Sequence, residues 1–218
     1  MSAPFTPTRE FALLSRLARP GFAADDAGRA RALARDASPE TFAGLVRFHR
    51  CAGHVLANLD RLDQPILPAA MHQRCVALAR AGRRRTQVQL DQLNTLGAAF
   101  EASGVEAMVL KGPAAGARLF GDPARRVLRD LDVMVRADDA LAAFNILGDL
   151  GWRPEHPALQ GAMDALRMRR LQGWSNNIAF QNPAAPNFFV ELHWRPGRFA
   201  VEFPVAEAAL WSKARRLE

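Results

Sequence analysis

Residues Val105 to Val135 read V-E-A-M-V-L-K-G-P-A-A-G-A-R-L-F-G-D-P-A-R-R-V-L-R-D-L-D-V-M-V, and the fold turns on how this stretch divides. Its last third is a strand pattern. Val127, Leu128, Leu131, Val133, Met134 and Val135 are apolar, with Asp130 and Asp132 set inside the run. Strand side chains alternate faces, so Asp130 and Asp132 project side by side while Leu131 and Val133 point into a core. Two carboxylates that close raise each other's pKa unless a cation sits between them, and a hard, oxygen-loving ion such as Mg²⁺ resolves the conflict. Alone, D-x-D also describes the charged outer face of an edge strand.

Working outward, Val105 to Leu110 is a buried-strand pattern that ends in Lys111-Gly112-Pro113. Pro is favoured at the first helical position, so a helix starts there. Glycine lets backbone amides approach an anion, and a helix N-terminus favours phosphate. A phosphate cradle and a carboxylate pair thus fall on consecutive elements. Of 29 Lys plus Arg only Lys111 and Lys213 are lysine, and the other 27 are arginine. A compact ammonium differs from a guanidinium fork in reach and hydration, so a lysine kept at this turn suggests a specific contact.

Composition narrows the classes. The chain has 218 residues, 49% of them hydrophobic, enough for a real core in one or two domains. A net charge of +7 favours acidic partners such as nucleotides, but the arginines are spread along the chain and do not specify nucleic acid. Cys51 and Cys75 lack CxxC spacing, which fits free thiols in a reducing compartment. No apolar run approaches the roughly 20 residues of a membrane span. The N-terminus lacks a signal-peptide layout, so the default location is the cytoplasm and no membrane partner is expected.

The region before position 100 reads as helical. After a lead of about eight residues, helices are expected over Arg9–Ala18, over Asp25–Ala37 and from Pro39 behind an N-cap Ser38. The apolar pattern of that third helix runs on through Val55, Leu56 and Leu59 to a break at Asp63-Gln64-Pro65. A long helix follows from Pro68 to about Ser103, with Arg83-Arg84-Arg85 as a solvated face. His49 and His54 beside Cys51 lack a fourth ligand at a zinc spacing and read as ordinary histidines.

Beyond the D-x-D strand, Asp138–Leu150 is an amphipathic helix closed by Gly151, Trp152–Pro154 a short edge strand, and Ala158–Arg170 a basic helix. Asn176–Phe180 and Asn187–Trp194 form a hairpin around a Pro/Asn-rich turn. Within the second hairpin strand Phe189, Glu191 and His193 share a face. A carboxylate there is costly to bury unless something positive meets it, and the metal inferred for Asp130 and Asp132 would serve. An edge-strand glutamate in water is the alternative.

Three motifs in this order, Leu110-Lys111-Gly112, Arg126-x-x-x-Asp130-Leu131-Asp132 and Glu191-Leu192-His193-Trp194, resemble those of a bacterial nucleotidyltransferase family within the polymerase-β-type superfamily. The resemblance covers roughly residues 70 to 211 well and the first seventy loosely. It implies an α+β fold: an N-terminal helical region, 1–100, followed by a catalytic core, 101–218, with a small mixed sheet flanked by helices. Members continue into further helices beyond the point where this chain stops, at Glu218. A shortened or minimal member is expected, in which an acceptor-binding C-terminal helical part is missing. The superfamily's Gly-Ser phosphate turn is replaced by Lys111-Gly112, so its detailed phosphate contacts do not transfer.

The activity the resemblance implies is transfer of a nucleoside monophosphate from an NTP, with ATP the first choice, to an acceptor hydroxyl with release of pyrophosphate. Asp130, Asp132 and Glu191 would hold two Mg²⁺ ions, and Glu191 would also take the hydroxyl proton. Lys111, Gly112 and Arg126 would hold the triphosphate. Arg129 is a weaker member, since alternation turns it away from Asp130. Trp194 could stack on a base but reads better as core. The acceptor, a small molecule, peptide or protein, is not specified. A catalytically inactive nucleotide-binding or protein-interaction module on the same fold is the alternative, and an arginine-rich nucleic-acid binder comes last.

Overall fold

The computed structural model describes residues 6–62, 64–197 and 207–215; the first five residues of the expected lead, and Asp63 of the expected break, lie outside them. Two compact units are present, one comprising residues 1–87 and 120–127, the other 88–119 and 128–218.

The first unit is helical: α1 (Arg9–Leu17), α2 (Ala24–Arg35), α3 (Pro39–Phe48), α4 (Ala52–Leu59) and the start of α5 (Ala69–Ala102). Thr8 and Ser38 cap α1 and α3 by accepting from the amides three residues on. Leu13, Leu17, Phe42, Val46, Val55 and Met71 form its core. The single helix expected from Pro39 onward is two helices, α3 and α4. Arg50 adopts φ 54°, Cys51 N–H donates to Val46 O and Arg50 N–H to Arg47 O. These are the two bonds of a left-handed helix stop, with arginine where glycine is usual.

The second unit is mixed α and β, in agreement with the expected fold class. It holds most of α6 (Pro113–Phe120), with α7 (Ala140–Asp149), α8 (Ala165–Trp174), α9 (Glu207–Lys213) and five strands: β1 (Ala107–Val109), β2 (Asp130–Val135), β3 (Arg153–Pro154), β4 (Asn177–Asn182) and β5 (Ala185–His193). Their order is β1-β2-β5-β4-β3. β2 and β5 are parallel, and every other pair is antiparallel. A parallel neighbour needs a long crossover, here the chain through α7, β3, α8 and β4.

Leu131, Val133, Val135, Ile178, Phe180, Val190, Leu192 and Trp194 build the core of this unit with Leu96, Phe100, Phe144 and Leu147. Phe144 and Phe180 meet edge to face at 5.4 Å. The basic helix expected over 158–170 begins later. Pro157–Leu159 is one 3-10 turn, and the helix starts only at Ala165, where Asp164 caps it by accepting from Arg167 N–H at 2.8 Å. The first strand is confined to Ala107–Val109, and Val127–Arg129 precede β2 without joining it.

Candidate functional site

The β2–β5 ladder sets the site. Asp130 pairs with Phe189, Asp132 with Glu191 and Met134 with His193. Residues opposed across a ladder share a face, so Asp130, Asp132, Phe189, Glu191 and His193 stand on one side of the sheet. The intervening Leu131, Val133, Val190 and Leu192 fill the core on the other. β4 adds Asn177, opposite His193, to the polar face. Just past β1, Leu110 N–H donates to Asp132 O at 3.0 Å, and this bond brings the next residue, Lys111, beside Asp132.

The side chains converge on Asp132, which is fully buried. Lys111 Nζ donates to Asp132 Oδ1 at 2.8 Å. His193 Nε2 lies 3.3 Å from the same Oδ1 and 3.3 Å from Glu191 Oε2. Asn177 Nδ2 donates to Glu191 Oε2 at 2.9 Å, and Asn176 Nδ2 is 3.5 Å from His193 Nδ1. Asp132 Oδ2 is buried with no hydrogen-bond partner among the described residues.

Charge follows this geometry. Burial pushes the Asp132 pKa up, but hydrogen bonds from His193 and Lys111 and their charges outweigh it and hold the carboxyl below its ordinary value. The hydrogen bond from His193 likewise lowers Glu191, against burial and the repulsion of Asp132. Burial alone would lower Lys111 and His193; the carboxylates prevail and both are raised.

Asp132, Glu191 and Lys111 are therefore brought together. Asp130 lies on the same face one step along β2, outside the cluster. Gly112, at φ +92°, makes the turn into α6, whose first residue is Pro113. Arg129 departs from the alternation argument: it precedes β2, and its guanidinium lies over the Phe189 ring, 4.8 Å from the centroid, on the polar face. Arg126 follows the 3-10 turn Pro123–Arg125 and belongs to the first unit. Trp194 is core, fully buried, with Nε1 donating to Ser175 O at 2.9 Å. His193 joins Asp132 and Glu191 in the cluster, although the sequence assigns it no role. Its signal was present, since it lies two residues beyond Glu191 in a strand.

Asp132, Glu191 and His193 each offer one ligand atom, and these lie within 4.8 Å of one another. The unpartnered Asp132 Oδ2 adds a buried acceptor whose desolvation is uncompensated. Two carboxylates, one of them with an orphaned oxygen, and an imidazole fit a divalent cation.

A family model described as an uncharacterised nucleotidyltransferase matches residues 35–218. No curated protein and no solved structure matches the chain.

Proposed function

Because the chain belongs to this family of nucleotidyltransferases, we propose that it moves a nucleoside monophosphate from an NTP to an acceptor hydroxyl, on a site assembled around Asp132 and Glu191. The observation that carries this reading is the register of the two acids on one face of a parallel strand pair, beside the ammonium of Lys111. Mg²⁺ or a related divalent ion, held by Asp132 and Glu191 with Asp130 adjacent, would supply charge neutralisation at the attacking and leaving oxygens.

The chain's own groups account for the rest. Glu191 takes the proton of the acceptor hydroxyl as its oxygen bonds to the α-phosphorus. The bond from that phosphorus to the β-bridging oxygen breaks, and pyrophosphate leaves. Lys111 and the amides at the start of α6 hold the β- and γ-phosphates as they accumulate charge. The Phe189 ring with Arg129 over it offers an aromatic and cationic surface on the same face, suited to a base or a phosphate.

Incubation with each α-³²P-labelled NTP, Mg²⁺ and a cell lysate as acceptor source tests the proposal. Metal-dependent label transfer that disappears in Glu191→Gln is expected. Failure of every NTP to give either transfer or a calorimetric binding heat would overturn it. A second reading, nucleotide binding without chemistry, is favoured by one observation: the Asp132 oxygen facing the cluster already carries Lys111 and His193. It predicts binding heats without transfer.

A further inference from the structure

Among the groups around Asp132, Lys111 is held as an ammonium, whereas His193 offers a ring nitrogen that can ligate, set equidistant from the two carboxylates. Nε2 lies 3.3 Å from Asp132 Oδ1 and 3.3 Å from Glu191 Oε2, longer than the usual 2.9–3.0 Å of an N–H···O bond. In the metal-free chain these two equal, long distances are those of one N–H shared between two carboxylates, and the same midpoint is where an ion would sit. Two ligand atoms that share an ion at about 2.0–2.2 Å, at right angles, lie about 3 Å apart. We propose that His193 Nε2 is a ligand of the divalent ion held by Asp132 and Glu191, and that this nitrogen selects a first-row transition ion, Mn²⁺, over Mg²⁺. The inference rests on the metal-dependent reading above and specifies which ion that site takes.

The chemistry follows from donor type. Mg²⁺ prefers oxygen ligands and keeps much of its water. Imidazole is a ligand for first-row transition ions, and Mn²⁺ is the one among them that shares the preference of Mg²⁺ for carboxylate and water oxygens. Nε2 ligates only as the tautomer that carries its proton on Nδ1, and a ligating histidine gives that proton to an acceptor behind it. Asn176 stands there, its amide 3.5 Å from Nδ1. Half a turn of that amide presents Oδ1 to Nδ1–H. His193 is buried and sits in β5, so its ring is held in place by the sheet.

The test uses the full chain, freed of metal, with MnCl₂ or MgCl₂ alone. Calorimetry gives the affinities, and pulsed EPR of the Mn²⁺ complex gives the ligating nuclei. Wild type should bind Mn²⁺ at least tenfold more tightly than Mg²⁺. A direct ¹⁴N coupling should convert to ¹⁵N when the protein is made with ¹⁵N-histidine. His193→Gln, checked for folding by circular dichroism, should abolish that coupling and lower Mn²⁺ affinity by about 10- to 100-fold, with Mg²⁺ changed less than twofold. The labelled wild type needs no substitution, so it decides even where the variant does not fold. Mn²⁺ bound through Asp132 and Glu191 without nitrogen coupling would overturn His193 ligation and leave the metal-dependent function standing. Absence of binding of either ion to wild type would overturn both.

Discussion

Asp132 and Glu191 are register partners across a parallel strand pair, so the sheet itself, with no loop involved, fixes the spacing of the two acids. A cation that binds there binds only the folded chain. Mass action then stabilises the fold by about 2.7 kcal/mol at a free metal concentration one hundred times the dissociation constant. For the unit that holds the site this is a rise of several degrees in Tm. Chelated protein should melt lower than metal-loaded protein by scanning calorimetry, and Asp132→Asn or Glu191→Gln should erase the difference. An equal rise in both variants would place the ion elsewhere.

Asp130 separates stability from function. Its carboxylate makes no hydrogen bond or ion pair among the described residues, yet it stands on the site's face next to Asp132. Asp130→Asn should therefore change the urea midpoint by less than about 0.5 kcal/mol. The same variant should lower label transfer by about 10²-fold or more, the scale of losing one group that stabilises transition-state charge. A stability loss as large as that of a core truncation would instead mark Asp130 as structural.

What the sequence displayed depended on whether backbone and side-chain signals coincided. The α7 stop is legible because Gly151 takes the left-handed position, φ +84°, that glycine favours. The α3 stop is hidden because Arg50 holds the same conformation, and nothing in an arginine announces it. Period-two alternation by itself puts Asp130 with Asp132 on one strand face, and Glu191 with His193 on another. It could not show that β2 and β5 would pair in parallel with Asp132 opposite Glu191, because register across a crossover depends on how the whole core packs. Arg129 escapes the alternation because it precedes Asp130, where the strand that enforces it begins. His193 went without a role because its nitrogen matters only once Asp132 lies 3.3 Å away.

Gly112 links the two motifs by conformation. At φ +92° a Cβ would be strained, and it would meet Leu128 Cδ1 at 3.1 Å. The leucine terminus can give way, so the backbone term dominates. Gly112→Ala should cost about 1–2 kcal/mol in urea unfolding. It should also weaken binding of Mg·ATP by calorimetry, because Lys111 is carried on the same turn. Unchanged affinity with reduced stability would remove this turn from the phosphate site.

The protonation pattern gives a pH dependence whose sign differs between the metal-free and metal-loaded protein. His193 is raised above its ordinary 6.5. Its contribution is therefore full below that value and is lost as pH rises through the elevated one. Asp132 and Glu191 are lowered from 3.8 and 4.5, so theirs are full above those values and are lost as pH falls through the depressed ones. All three contributions coexist between about pH 4.5 and 6.5, so what this cluster adds to the stability of the metal-free protein is greatest there and declines on the alkaline side. His193→Gln should flatten that alkaline decline. With a divalent ion bound, the imidazole must give up its proton, so the stabilisation by metal should grow as pH rises over the same range. Melting curves from pH 5 to 9, with chelator and with saturating Mn²⁺, should therefore diverge with pH. Parallel curves would mean that the ion and the His193 proton do not compete.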